Sequence, residues 1–410
     1  RMLGHDILQR LDEAATCSQP GPGVTRTFCS DEHRQVLILI ERWMQAAGLS
    51  TQRDAAGNLI GRSPRAQAGE PTLIIGSHQD TVTNGGKYDG MLGVVLPLAA
   101  LEAMHRAGDE LPYGIEVVAF GDEEGTRFQS TLVGSRALAG TFRSEMLDAE
   151  DAEGISMGQA LQAFGGDPQR IATLARDPER TLGFFEVHIE QGPVLENRNL
   201  AVAAVTALTG IERHRLRVTG KAGHAGTTPM DVRQDALVAA ARMVVAVDDH
   251  LQATPDLVGV IGKLAVRPNA TNVIPATVEM TLELRSPQDA LRRRGRETLI
   301  QQLHDIARHA GVSLDIEQTY EAQGVACADW MIEGLKAAMQ RCQLTPHAMY
   351  SGAGHDGLAM HDLTDIGMLF VRCRDGLSHH PDESITAEDA ETAARVLIEF
   401  LKGFPAEPRR

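Results

Sequence analysis

The sequence predicts an α/β protein, a discontinuous α/β domain into which a ferredoxin-like βαββαβ unit is inserted. Three observations carry this. Residues 30–125 alternate helical and strand patterns, residues 210–322 switch to a βαββαβ order, and the first rhythm returns after residue 325 in a tail too short to fold alone. The expected division is 1–209 with 323–410 as one domain and 210–322 as the other, which suits a 410-residue chain too long for one ordinary core.

The first part opens with a helical stretch at 31–47, followed by a buried strand at Thr72–Gly76, a helix at 91–107 and a strand at Ile115–Gly121. In a parallel sheet built this way, functional groups gather beyond the carboxyl ends of the strands. His78 and Asp80 follow the first of these strands, and Asp122-Glu123-Glu124 follow the second. Residues 141–182 are polar, broken at Asp167-Pro168 and Asp177-Pro178, and read as helices and loops on the rim. A third strand, Phe184–Ile189, alternates: Phe185, Val187 and Ile189 share one face, while Glu186 and His188, with Glu190 just beyond, share the other.

The inserted unit reads as strand 214–219, helix 229–250, strands 257–266 and 276–285, helix 288–310 and strand 312–319. Thr228 is the candidate N-cap of the first helix, with Pro229 at its first position and Asp231 completing a capping-box-like start. On Thr277–Arg285 the apolar Val278, Met280, Leu282 and Leu284 share one face, so one side packs against helices and the other is wet or functional. The run Arg292-Arg293-Arg294, with Asp289 and Glu297 nearby, reads as a solvated helix face. The tail supplies a helix at 328–342, a strand at Gly367–Val371 and a helix at 387–402.

Composition narrows the function classes. A net charge of −16 excludes the dense basic surface that a nucleic acid or an anionic membrane would need, so the expected partner is a small molecule. Pro97, Glu102 and Arg242 interrupt the longest apolar runs below membrane-spanning length. The five cysteines are odd in number and lack C-x-x-C spacing, which points to scattered reduced thiols and a cytoplasmic compartment.

The chemistry lies in a few short stretches. His78, Asp80 and Asp89 form a plausible ligand set with a supporting carboxylate, because a metal-bound imidazole needs an acceptor that fixes its tautomer. A lone H-x-D would equally suit a polar turn. Glu123 and Glu124 point in different directions at a strand end, so one can face a metal and the other a substrate, although alone they could be a solvated acidic turn. His188 in isolation would be a structural histidine, and His379-His380 a surface loop. Counted together, three imidazoles and three carboxylates without a thiolate suit Zn²⁺, Mn²⁺, Co²⁺ or Ni²⁺. The run Gly352-Ala353-Gly354-His355-Asp356-Gly357 matches a dinucleotide fingerprint, but too few residues follow Gly357 for the required crossover helix.

Eight ordered motifs carry a resemblance that covers nearly the whole chain: GSHQDTVTNGGKYDG (76–90), GDEEGTRF (121–128), HIEQGPVLE (188–196), GHAGTTPMDVRQDA (223–236), RPNATNVIPA (267–276), LELR (282–285), SGAGHDG (351–357) and GLSHHPDE (376–383). In these the sequence resembles the peptidase M20 group, in its hydantoinase/carbamoylase branch of N-carbamoyl-L-amino-acid hydrolases, allantoate amidohydrolases and ureidopropionases. The resemblance implies two divalent ions, Zn, Mn, Co or Ni, one held by His78 and His188, the other by Glu124 and His379, with Asp89 shared. It implies Glu123 as general base, with Asp80 as its catalytic companion, and substrate contacts at Gln191, His224, Asn272, Arg285 and His355. His380 stands where the family has Asn. A ureido substrate, a homodimer and a lid and dimerisation role for 210–322 are further implications, and the expected reaction is hydrolysis of an N-carbamoyl-L-amino acid. Allantoate is the alternative substrate, and an aminoacylase or dipeptidase of the wider group is the third possibility.

Overall fold

The alternating half of the sequence forms a nine-stranded mixed sheet. Its order is Ser50–Arg53, Leu59–Arg62, Gly114–Phe120, Thr72–His78, Thr181–Ile189, Ile366–Val371 and Val202–Leu208, with Val325–Ala326 and Ala348–Ser351 both paired to the last. The four central strands run parallel, and Leu59–Arg62 and Val202–Leu208, on either side of them, are antiparallel to their neighbours. All four central carboxyl ends therefore open on one edge, where their loops must meet. The computed structural model describes residues 2–407, and the chain divides into two compact units, Arg1–Thr206 with Ala326–Arg410, and Ala207–Val325.

Central strands buried on both faces read as apolar runs rather than alternations. Thr181–Ile189 is buried along all nine residues, so its polar face is not a wet face: Glu186 and His188 lie inside the protein. Helix Leu92–Ala107 is buried on nearly every side because it packs on Thr72–His78 and Thr181–Ile189 and is covered by Leu3–Ala15, Asp31–Ala46 and Ala387–Lys402. Its Glu102 is buried with Arg10 and Arg106 as partners. Among the described residues no helix is long and apolar enough to cross a membrane.

The second unit is a βαββαβ sheet in the order Leu264–Arg267, Thr277–Ser286, Gly210–Thr219, Ser313–Ala322, with Val258–Val260 also on Thr277–Ser286. Every pairing in it is antiparallel. Val278, Met280, Leu282 and Leu284 pack with Leu216 and Val218 against residues of helices Ala236–Gln252 and Asp289–Ala310.

Two expectations need correction here. The first helix begins at Ala236, not at Pro229: Asp235 is its cap, accepting the N–H groups of Leu237 (2.9 Å) and Val238 (3.1 Å). Backbone bonds from Lys221 to Gln234 and from Ala236 to Pro275 hold the preceding segment out of the helix, leaving a short 3-10 turn at Met230–Val232. Arg292 is not on a solvated face. Its side chain is 0% exposed and donates through Nη1 to the equally buried Glu212 at 2.8 Å and through Nη2 to Asp289 and Glu321, both at 3.2 Å. Its neighbour Arg294 is the exposed one.

Candidate active site

His78 ends one central strand, His188 sits next to last on another, and Asp122-Glu123-Glu124 follow a third. Asp89 comes from the loop after His78, and His379 from the loop beyond Val371. These side chains converge on Asp89. Its Oδ1 lies 3.3 Å from His78 Nε2 and 3.1 Å from His188 Nε2, and its Oδ2 lies 3.0 Å from His379 Nε2. His379 Nε2 is also 3.4 Å from Glu124 Oε1. Two groups of donor atoms thus share Asp89: His78, Asp89 and His188 on one side, and Asp89, Glu124 and His379 on the other, each within 4.8 Å.

The backbone sets the imidazole tautomers. His78 Nδ1 is 2.8 Å from the Asp80 carbonyl, and His188 Nδ1 is 2.8 Å from the Ile189 carbonyl. A carbonyl can only accept, so each Nδ1 carries a hydrogen and each Nε2 is the nitrogen that faces Asp89. Gly90 makes room for this: at φ +77° it takes a left-handed turn, and a Cβ there would lie 2.4 Å from the His78 ring.

Asp80 acts mainly on the acidic loop. Its carboxylate is 3.3 Å from His78 Nδ1, farther than its own carbonyl, and it accepts the N–H groups of Glu123 (2.9 Å) and Glu124 (3.0 Å). Burial disfavours a charged Asp80, but His78 and a hydrogen bond from Asp122 outweigh it and lower its pKa. Burial and the adjacent Asp80 raise Asp122 well above the carboxylate range.

Charge at the centre is arranged for cations. Burial opposes ionisation of Asp89, yet His188, His379 and His78 hold its pKa well below normal. Burial likewise opposes a charged His78 or His188, but Asp80 and Asp89 lift the first well above the imidazole range and Asp89 raises the second. Asp89 and Glu124 push the half-exposed His379 to about 10. Glu123, 3.8 Å from His78 Nε2, is raised well above the carboxylate range by burial, against the pull of His78 and with the charge of Glu124 adding to the rise. Imidazole nitrogens and carboxylate oxygens directed at common points, with no thiolate among them, fit divalent cations.

A family model described as peptidase family M20/M25/M40 matches residues 74–403, which contain every one of these side chains. The chain belongs to peptidase family M20/M25/M40. M20 enzymes are metal-dependent, in keeping with the donor set. An N-carbamoyl-L-amino acid amidohydrolase of Geobacillus stearothermophilus is 39% identical, covering 96% of this chain and 97% of its own. An allantoate deiminase of Arabidopsis thaliana is 37% identical, over 98% of this chain and 82% of its own. Among solved structures, a hydantoinase/carbamoylase family amidase from Burkholderia multivorans superposes with a TM-score of 0.92 at 32% identity, covering 99% of this chain and 98% of that one.

The remaining expected residues of this M20 chain divide between the units. In the first, Gln191 takes a left-handed backbone (φ 60°) and donates to Asp89 Oδ2 (3.2 Å) and Ser378 Oγ (3.0 Å). His355 is buried, 2.8 Å from Ser351 Oγ through Nε2 and edge-on to His188, and burial with the His188 charge keeps it neutral. His380 is in neither donor group, and its Nδ1 accepts the Asp382 N–H at 3.1 Å. In the second unit His224 is paired beside Val273, next to Asn272, whose carbonyl accepts the Ala225 N–H at 3.0 Å, and Arg285 donates to Glu283 at 3.0 Å. The short four-residue helix Gly357–Met360 follows the glycine-rich run.

Sequence reasoning missed four buried acids around the centre. Asp122 was seen only as part of an acidic turn. Glu186 accepts from Ser77 (2.6 Å), Asp356 from Ser135 (2.7 Å), and Glu383 from the N–H groups of Tyr88 (3.0 Å) and Asp89 (2.9 Å). Asp356 and Glu383 lie inside motifs already singled out, which was the available signal.

Proposed function

We propose that this chain is a metal-dependent amidohydrolase that cleaves the ureido C–N bond of an N-carbamoyl-L-amino acid, giving the amino acid, carbon dioxide and ammonia. The observation that carries the reading is Asp89, whose two oxygens face separate sets of nitrogen donors, in a chain alike over almost its full length to an N-carbamoyl-L-amino acid amidohydrolase. Two divalent ions, Zn, Mn, Co or Ni, are assigned to His78 with His188 and to Glu124 with His379, sharing Asp89. Such ions supply Lewis acidity to the carbonyl and lower the pKa of water.

The residues of the chain do the rest. Glu123 accepts a proton from the attacking water and passes it to the departing nitrogen as the C–N bond breaks. The amino acid leaves through that nitrogen, and the carbamic acid left behind falls apart to carbon dioxide and ammonia. Asp80 holds the Glu123 backbone, so the base is fixed from behind rather than by its own side chain. Gln191, His224, Asn272, Arg285 and His355 are assigned to the substrate, with Arg285 as the guanidinium suited to its carboxylate.

A second reading, allantoate as substrate, has a specific observation behind it in the 37% identical plant allantoate deiminase. We further infer a homodimer formed through the second unit, and a cytoplasmic setting, which the free cysteines support. The deciding experiment measures ammonia release from N-carbamoyl-L-amino acids, allantoate and 3-ureidopropionate, with chelator and with each added metal. N-acetyl amino acids and dipeptides are scored in parallel by free amine. The highest kcat/KM is expected for an N-carbamoyl-L-amino acid, and no activity on any ureido compound with any metal would overturn the reading.

A further inference from the structure

The two halves of the candidate metal centre are anchored differently. His78 and His188 are buried on central strands, each with Nδ1 engaged by a backbone carbonyl. Asp89 and His379 come from loops, and His379 is 48% exposed on a left-handed backbone (φ 53°). A non-glycine residue in that region is held there by its surroundings. The residues on either side of His379 are both tied to Glu383, whose carboxylate accepts the Ser378 hydroxyl and whose N–H donates to the His380 carbonyl at 3.1 Å.

Glu383 is 3% exposed. Its Oε1 accepts the N–H groups of Tyr88 (3.0 Å) and Asp89 (2.9 Å), and its Oε2 accepts the Ser378 hydroxyl (2.8 Å). Ser378 in turn accepts from Gln191 Nε2 (3.0 Å), which also donates to Asp89 Oδ2 (3.2 Å). The hydrogen bonds form a closed ring: Asp89 backbone, Glu383, Ser378, Gln191, Asp89 carboxylate. The Asp89 loop is pressed onto this carboxylate, since a Cβ on Gly86 would lie 2.3 Å from Glu383 Oε1.

We propose that Glu383 is a positioning residue which ties the Asp89 loop to the His379 loop, so that the ion assigned to Asp89, Glu124 and His379, with two of its three holders on these loops, depends on it more than the ion assigned to His78, His188 and Asp89, with only one. This rests on the two-ion reading given above. Ser378 and Gln191 transmit the tie, and neither strand-borne histidine takes part in the ring.

The test is a Co²⁺ titration of chelator-stripped full-length protein, followed by equilibrium dialysis and visible absorption, for the native chain and for Glu383→Ala, Glu383→Gln and Ser378→Ala. The native chain should bind two ions. Glu383→Ala should weaken one of them by about 10- to 100-fold, the usual effect of losing a group that orients a ligand, and leave the other within about threefold. Ser378→Ala, a partly exposed site that spares the fold, should weaken the same ion by less. Glu383→Gln keeps an oxygen for both N–H groups and should restore part of the affinity. Equal binding of both ions by native and Glu383→Ala protein would overturn the proposal, as would equal weakening of both ions with a lowered melting temperature. Failure of the two-ion reading looks different: the native chain would bind fewer than two ions, or Asp89→Ala would bind as tightly as native.

Discussion

We propose that Glu123 moves a proton, although its carboxylate also lies within one of the donor groups, with His78 and Glu124. Its Oε2 lies 3.8 Å from His78 Nε2, its backbone N–H is fixed by Asp80, and it is buried beside the acidic Glu124, Asp356 and Asp80, which favour its protonated form. A glutamine has the same shape and cannot accept the proton. Glu123→Gln should therefore lower kcat by about 10²- to 10⁴-fold, the range for losing a general base, with metal content by elemental analysis unchanged. Turnover near the native rate in the metal-loaded variant would remove Glu123 from proton transfer. His33 makes a separate case away from the centre. It is fully buried, stacked on Phe164, with Nδ1 accepting the Cys29 N–H at 3.0 Å, and burial lowers its pKa to about 3. The unfolded chain, with a histidine pKa of about 6.5, binds the extra proton first, so this residue weakens the fold as pH falls from about 6.5 toward the folded value. His33→Asn retains an acceptor for Cys29, and its melting temperature should fall less steeply than the native one between pH 7 and 4. Parallel curves would count against the assignment.

Between elements, ion pairs that look alike in sequence differ in weight. Arg292 and Glu212 are both 0% exposed and join helix Asp289–Ala310 to strand Gly210–Thr219, with Arg296 also on Glu212 at 2.9 Å. Removing one partner strands a buried charge, so Arg292→Ala should cost about 3–5 kcal/mol in denaturant unfolding of the second unit, while the exposed Arg294→Ala should stay within about 0.5 kcal/mol. Similar costs for both would mean that Arg292 is hydrated in solution. The sequence could not separate them, because a triple-arginine run on a helix has no local mark for the one that turns inward. The same limit explains the helix start: Thr228-Pro229 has the chemistry of a cap, and only backbone bonds to residues distant in sequence move the start to Asp235. Short polar edge strands such as Ser50–Arg53 were also illegible, having no apolar alternation. By contrast Thr72–His78, Gly114–Phe120 and Ala387–Lys402 were readable from apolar runs and period. His78, Glu123 and His188 were readable as strand-end or strand-borne polar residues, whereas the role of Glu383 lies in a contact 294 residues away from Asp89.

At the scale of the molecule, every residue assigned to the metal centre belongs to the first unit, and the second unit presents a surface with no structural explanation within one chain. The edge of its sheet is formed by Val258–Val260 and Leu264–Arg267, where Val258, Val260 and Leu264 are exposed, and helix Ala236–Gln252 exposes Val238 and Val245. An apolar strand edge with unpaired backbone groups is a pairing template, and soluble proteins ordinarily blunt such edges with charge or cover them. We propose that this edge pairs with the same edge of a second copy, which would bury the valines; a self-complementary patch of this kind closes a two-fold dimer. The native chain should then sediment at twice the chain mass at micromolar concentration. Val260→Lys combined with Leu264→Lys puts like charges on both copies of the edge and should give the single-chain mass. Because the substitutions lie outside the metal unit, the variant should keep its metal content and circular dichroism. A native chain that sediments as a monomer, or a double variant that remains dimeric, would exclude this edge as the interface.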